Sequence, residues 1–205
     1  MSGTRGNHLA GAGDGQTPLD PDEAAQLLSA AIATREELDA AEEENVVQAV
    51  GWALSARRAP LAILDEAFVR DLHRRMFGDV WRWAGRYRTT SRNIGVAPWR
   101  IAEDVGLLLG DARFWLDNDT YGRDELCARV HHRLVGIHPF PNGNGRHARL
   151  GADILRVALG GAVFSWGRNA LAGGVDAGEI RRSYIASLRR ADDGDVSPLL
   201  EFAIS

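Results

Sequence analysis

The stretch that decides the reading is Gly136-Ile137-His138-Pro139-Phe140-Pro141-Asn142-Gly143-Asn144-Gly145-Arg146-His147-Ala148-Arg149-Leu150. An apolar helical pattern from Glu125 to Ile137 runs into it. Two prolines and two glycines then force a tight loop, and a second helix starts near Asn144, continuing to Leu159 with Leu150, Ile154 and Leu155 inward. The first turn of a helix exposes unpaired N–H groups and the positive end of the dipole. Gly143 and Gly145 have no Cβ, so an anion can approach the backbone. Arg146 and Arg149, three residues apart, share a helix face beside that start and can fork onto phosphate oxygens. His138 enters from the other end of the loop as a base that works near neutral pH. Asn142 offers a carbonyl oxygen to a hard cation such as Mg2+.

Outward from this loop the chain is helical. Asp20-Pro21-Asp22-Glu23 reads as a cap with proline at the first helical position, predicting a helix to about Ala33. Thr34 with Glu37 is a capping box for a helix through Ala56. Amphipathic patterns follow over 65–77, 101–116, 178–190 and 198–204. Residues 85–100 break the pattern with β-formers, Asn-Ile-Gly turn chemistry and a proline, so a short hairpin or extended loop is expected there rather than a helix. The expected fold is an all-α bundle with one small β-hairpin, forming a single domain over 17–205 behind a loose tail, 1–16.

Composition narrows the function. The 205 residues carry a net charge of −4, with 45% apolar and 25% charged residues, as in a globular protein with a real core. The acidic balance argues against direct nucleic-acid binding. No apolar run reaches the length of a membrane helix, and the polar, Gly-rich N-terminus lacks the apolar core of a signal peptide. Cys127 is the only cysteine, which rules out an internal disulfide and makes a cytoplasmic location the default. Within Leu126-Cys127-Ala128 it reads as inert core. There is no lysine: all 24 basic residues are arginine. Walker-type phosphate loops, Schiff-base enzymes and pyridoxal-phosphate enzymes are therefore excluded. Any phosphate contact falls to arginine or to backbone N–H.

The loop resembles the signature of Fic proteins, written HxFx(D/E)GNGRxxR. His138, Phe140, Gly143, Asn144, Gly145, Arg146 and Arg149 match, while Asn142 stands where the family has an acidic residue. Trp83-Ala84-Gly85-Arg86-Tyr87-Arg88 resembles the run before the family's flap hairpin, and 184–202 resembles its closing helices. Together with the upstream run, the loop resembles the Fic subgroup called mobile mystery protein B. The resemblance implies a Fic-fold bundle that transfers part of a nucleoside triphosphate, ATP in the first instance, to a Ser, Thr or Tyr hydroxyl of a target protein. It implies His138 as the base, Gly143, Asn144 and Gly145 as the anion hole, and Arg146 and Arg149 on the outer phosphates. It further implies Mg2+ beside the triphosphate. A flap of Thr89, Thr90, Ser91, Arg92, Asn93, Ile94, Gly95 and Val96 would pair with an extended target segment by strand addition. The subgroup adds a toxin-like role with a small helix-turn-helix or antitoxin partner.

Asn142 keeps an oxygen but loses the charge of a carboxylate, which lowers affinity for a hard cation. Three readings stay open: weak metal binding helped by the triphosphate, a different phosphate-containing donor, or a module that binds nucleotide or a partner without turnover. Many Fic proteins carry an inhibitory (S/T)xxxE(G/N) helix. Glu44-Asn45 fails that pattern, because Ala40 occupies the Ser/Thr position. Helical geometry points instead to Glu42, which shares a face with Leu38, Val46, Ala49 and Ala53 and needs a partner if buried. That partner is either Arg149, as a brake on the site, or another arginine at a packing seam. His131 and His132 match no common zinc spacing and are expected to pack or hydrogen-bond in the bundle. His147 is expected to face solvent, Trp99 to pack, and Arg181, Arg182, Arg189 and Arg190 to form a solvated face.

Overall fold

The structure, a computed structural model, describes residues 25–205. The predicted tail and the Asp20–Glu23 cap lie outside the described residues. Thr34 enters the first described helix, α1 (Arg35–Ser55), in extended backbone; its hydroxyl accepts the Glu37 N–H (3.2 Å) while the Glu37 carboxylate accepts the Thr34 N–H (3.0 Å). The helix buries Leu38, Glu42, Asn45, Ala49 and Ala53. Asn45 ties it to the end of the third helix, donating to the Arg75 carbonyl and accepting from the Asp79 N–H (3.0 Å). A single turn, α2 (Pro60–Ile63), precedes α3 (Glu66–Phe77), whose cap Asp65 accepts the Ala67 N–H at 2.8 Å. Then come a 3-10 turn (Pro98–Arg100) and α4 (Ile101–Asp117), followed by α5 (Arg123–Ile137) and α6 (Asn144–Ala158). The chain closes with α7 (Arg168–Ala172), α8 (Ala177–Asp192) and α9 (Ser197–Ile204).

Helices α5 and α6 make the most extensive pairing and form the centre of the bundle, with α3 covering α6 and α4 covering α5. The core between them holds Leu72, Met76, Phe77, Leu108, Leu126, Phe140 and Leu155, each almost fully buried. Packing on both sides fixes the ends of α5 and α6, and so the loop between them. Cys127 lies in this core, and burial pushes its thiol up to about 12, as an inert cysteine requires. Among the described residues no helix is long and apolar enough to cross a membrane.

Two expectations are corrected. Residues 25–33 are not helical. Leu27 bridges Trp81, with Leu28 N–H on the Val80 carbonyl (2.9 Å) and Arg82 N–H on the Gln26 carbonyl (3.0 Å). Tertiary pairing here overrides the local helical pattern. The expected β-hairpin over 85–100 is also absent: no strand occurs among the described residues of this segment. Its two legs turn to the α5–α6 loop instead of to each other. The Arg88 N–H donates to Pro139 O (2.9 Å) and the Val96 N–H to Ile137 O (3.2 Å). The buried Arg88 guanidinium fills the space between the legs, donating to the carbonyls of Thr90 (2.9 Å), Val96 (2.5 Å) and His138 (2.7 Å). Those carbonyls are thereby withdrawn from any ladder.

Candidate active site

The loop from His138 to Gly143 is held on three sides. Asn144 closes it from within: its Oδ1 accepts the Phe140 N–H (2.9 Å) and its Nδ2 donates to the Phe140 carbonyl (2.8 Å). Phe140 is fully buried and stacks on His73 of α3, ring centroids 3.7 Å apart. His73 holds the loop from outside. Its Nδ1 accepts the Gly85 N–H (3.0 Å), so its Nε2 carries the proton and donates to the Asn142 carbonyl (3.1 Å). Arg88 holds the His138 carbonyl from the flap side. Sequence reasoning missed His73 and Arg88. The signal for His73 was its place with Val69, Leu72 and Met76 on the buried face of α3, where a polar ring needs partners.

At Gly143 (φ +75°) the chain turns into α6. No side chain caps this helix, and the first intrahelical bond is the His147 N–H on the Gly143 carbonyl (2.9 Å). The N–H groups of Asn144, Gly145 and Arg146 are thus the helix's free donors. The Gly143 N–H is not free: Asn142 Oδ1 accepts it at 2.7 Å. Asn142 thus commits one of its oxygen's two lone pairs to the loop and brings no negative charge, which makes it a weaker ligand for a hard cation than a carboxylate.

The two motif arginines diverge. Arg146 lies over the Phe77 ring (4.8 Å) and binds Glu42 Oε2 at 2.6 Å. Glu42, only 3% exposed, also accepts the Trp81 indole N–H on Oε1 (2.7 Å). The suggested Glu42–Arg149 pairing is corrected: the carboxylate meets the first motif arginine, one helical turn earlier. Arg149 instead sits over the Tyr184 ring of α8 (5.3 Å). Tyr184 in turn meets buried His131 at 3.0 Å.

His138 caps the end of α5 in left-handed backbone (φ 54°), which turns its ring out of the helix line. Burial, then the Arg88 and Arg92 cations, hold its pKa down at about 4. Nδ1 is buried and makes no hydrogen bond, while the Val135 carbonyl lies near the ring. A proton on the buried nitrogen would leave Nε2 as the basic one. Gly95 of the flap touches this residue: a Cβ there would stand 2.6 Å from His138 Cβ. The other flap residues Thr89, Thr90, Ser91, Asn93 and Ile94 are exposed, while Arg92 and Val96 are half-buried. Trp99, expected to pack, is 82% exposed just past the flap. His147, expected in solvent, is buried against the Val69 carbonyl (2.8 Å), because α3 covers that side of α6. His132 pairs with Asp192 (2.8 Å), and no group of metal-binding side chains occurs among the described residues.

Four buried histidines give the fold a pH signature. Burial lowers His131 to about 3 and His147, like His138, to about 4, and takes His73 well below its ordinary value. In the unfolded chain each protonates near about 6.5. Below that pH the unfolded state takes up protons that the folded state refuses. Stability should therefore fall as pH drops from about 6.5 toward 4, each histidine adding a limiting slope of about 1.4 kcal/mol per pH unit. Asp153, raised to about 6 by burial, acts in the opposite sense and offsets roughly one histidine below that pH. Urea midpoints measured from pH 7.5 to 4.5 should decline steeply below 6.5; a flat profile would mean that these rings are not buried.

A helical bundle that joins free helix-start amides, two arginines and a neutral imidazole has the make-up of a phosphate-handling protein. Residues 63–155 match the model of the Fic/DOC family, and the chain belongs to that family through this domain. Among curated proteins it is similar to protein adenylyltransferase Fic of Nematostella vectensis, 30% identical over 174 residues, covering 78% of this chain and 37% of the relative. It is 33% identical over 142 residues to protein adenylyltransferase fic-1 of Caenorhabditis briggsae, covering 65% of this chain and 25% of the relative. The chain thus spans about a third or less of these relatives. Among solved structures, Fic-1 (aa134–508) from C. elegans superposes with a TM-score of 0.59 at 27% identity, over 80% of this chain and 48% of that one. BepC of Bartonella tribocorum with bound AMPPNP gives 0.64 at 20% identity, over 83% and 86%, and speaks for the fold alone.

Proposed function

We propose that this chain is a protein nucleotidyltransferase that moves AMP from ATP to a Ser, Thr or Tyr hydroxyl of a target protein. The observation that carries the reading is the junction of α5 and α6. There a neutral His138 opens the short loop that leads into a helix start with no side-chain cap, where the amides of Asn144, Gly145 and Arg146 have no intrahelical acceptor. Those amides and the guanidinium groups of Arg146 and Arg149 would take the phosphate charge. His138 Nε2 would accept the hydroxyl proton as the hydroxyl oxygen bonds to the α-phosphorus. The bond from that phosphorus to its bridging oxygen would break, and pyrophosphate would leave. Holding the alcohol in line and stabilising the phosphoryl oxygens supply most of the rate. The names of the adenylyltransferase relatives support AMP as the transferred group.

The resemblance also implies Mg2+ at the loop, and the residues here do not fit it. Asn142 brings a neutral oxygen that already accepts the Gly143 N–H, whereas hard cations favour carboxylates. No step is assigned to a resident metal. The flap would present its exposed edge to an extended target segment, with Ile94 and Trp99 as the apolar contacts, 58% and 82% exposed. The subgroup resemblance supports a toxin-like effector in the cytoplasm with a helix-turn-helix or antitoxin partner, which co-purification with the product of a neighbouring gene would test.

Incubation with ATP labelled at the α- or the γ-phosphate tests the reaction. Label from the α-position alone should enter protein. Label from the γ-position would point to a kinase, and no transfer from ATP, GTP, UTP, CTP or CDP-choline would favour the binding-module reading.

Glu42 is proposed as a brake within the same reading. Its buried carboxylate neutralises Arg146, so an incoming phosphate must displace it. Glu42→Gln keeps an acceptor for the Trp81 indole and removes the charge. It should raise nucleotide affinity roughly fivefold or more, the scale of about 1 kcal/mol for a charge-assisted contact. Unchanged affinity and unchanged transfer would discard the brake.

A further inference from the structure

The two motif arginines differ in what already occupies them. Arg146 is neutralised by the buried Glu42 carboxylate at 2.6 Å, whereas Arg149, half-buried in the second turn of α6, has no carboxylate within ion-pair distance among the described residues. The nearest candidate along the helix is Asp153, four residues on, a spacing at which Arg and Asp commonly pair. Its Oδ1 is taken by the Phe164 N–H (2.9 Å) and the Trp166 indole N–H (3.0 Å), which hold the carboxyl at the segment that follows α6. What Arg149 has instead is a ring: its guanidinium carbon stands 5.3 Å from the centre of Tyr184. That ring is fixed from two directions. Phe202 of α9 packs on it, centroids 5.5 Å apart, and the Tyr184 hydroxyl shares a 3.0 Å hydrogen bond with Nε2 of His131. His131 is itself fully buried in α5, with the Trp166 ring against it at 4.6 Å.

We propose, resting on the nucleotide-transfer reading that gives Arg149 the outer phosphates, that Tyr184 locked by His131 is the positioning residue for this arginine. It holds the guanidinium by its ring without neutralising it, so the full charge is kept for phosphate. An aromatic ring suits the task where a carboxylate would not. A carboxylate has to be displaced before phosphate can bind, as at Arg146, and its charge repels the incoming anion. A ring attracts the cation through its quadrupole and brings no net charge. It leaves the N–H edge of the guanidinium for the forked bonds that phosphate accepts. The bond between Tyr184 and His131 joins two neutral groups: burial and the Arg149 cation hold His131 down at about 3, and burial raises the Tyr184 phenol. The support is therefore the same throughout the physiological pH range.

Equilibrium binding of ATP and of AMP to the full chain, by titration calorimetry without target protein, tests this. Arg149→Ala should weaken ATP by about tenfold or more, the worth of a charge-assisted contact, and leave AMP, which lacks the outer phosphates, within about twofold. Tyr184→Leu should weaken ATP about fivefold, the scale of a partly desolvated cation–π contact, with AMP again within about twofold. Tyr184→Met, a second variant that fills the space without a ring, should lose as much. Tyr184→Phe keeps the ring and should recover most of the loss. In the Arg149→Ala background, Tyr184→Leu should cost ATP nothing further. A merely structural role for Tyr184 would not give that silence, because damage to the bundle would add to the loss and weaken AMP as well. Arg149→Ala with unchanged ATP affinity overturns the phosphate role of Arg149, and this proposal with it. A loss in Arg149→Ala beside unchanged ATP affinity in both ring-less variants, or equal losses of ATP and AMP in those variants, overturns the positioning role alone.

Discussion

His138→Ala should lower the rate of nucleotide transfer by about 10²- to 10⁴-fold, the usual worth of a positioned general base, while leaving ATP affinity within about twofold. The separation follows from the geometry. The amides proposed to face the phosphates belong to Asn144, Gly145 and Arg146, and the loop that presents them is closed by the Asn144–Phe140 bonds and by His73, none of which uses the His138 ring. The Arg88 contact goes to the His138 carbonyl, which alanine keeps. Single-turnover transfer and equilibrium binding of ATP, measured on the same preparation, check this. Equal loss of binding and rate would mean that the ring supports the loop instead of taking a proton. With its pKa held at about 4, His138 stays neutral throughout the physiological range. The wild-type rate should therefore show no histidine titration between pH 6 and 8, and a sigmoid centred near the ordinary value of about 6.5 would contradict the burial assigned to the ring.

Gly143→Ala should damage both the fold and the site. Gly143 has φ +75°, and its missing Cβ would lie inside the van der Waals envelope of the Phe77 ring. Left-handed backbone costs an alanine about 1–2 kcal/mol, and overpacking a core typically adds about 1–3 kcal/mol. Phe77 cannot move away cheaply. It is fully buried, its ring lies 4.8 Å from that of His73, and Arg146 sits over it. A shift of Phe77 displaces Arg146, one of the two arginines proposed to hold phosphate. Denaturant unfolding should show a loss of about 2–5 kcal/mol, with nucleotide affinity reduced more than tenfold. Gly151→Ala on the same helix is the control. Its Cβ would meet only Leu72 at 3.9 Å, an ordinary contact, and helix propensity favours alanine by up to about 1 kcal/mol. A stable Gly143→Ala protein with unchanged affinity would remove the steric basis of the loop.

The helix–loop–helix junction of α5 and α6 is legible in the sequence because its signals are local. Prolines at 139 and 141 and glycines at 143 and 145 bend the chain whatever surrounds them, and the capping box of Thr34 and Glu37 forms within four residues. What was not legible depends on distant neighbours. The hairpin expected over 85–100 fails because Arg88, whose neighbours in sequence give no hint of burial, reaches the carbonyls of Thr90, Val96 and His138. His147 goes inside because α3 lies across α6, a matter of helix packing that no window of sequence contains. Glu42 was correctly read as buried and needing a partner, but the choice between Arg146 and Arg149 turns on where α1 crosses α6 and on Tyr184 of α8 taking Arg149.

The proposed transfer requires that the amides opening α6 receive the phosphates of a nucleotide. The most direct measurement is an amide-resolved NMR titration of the isotope-labelled protein with ATP. Saturable shifts should concentrate at Asn144, Gly145 and Arg146, together with the Nε of Arg146 and Arg149, and the imidazole of His138 should respond at the same ligand concentration. Shifts confined to another face of the bundle, or none at saturating nucleotide, would contradict it.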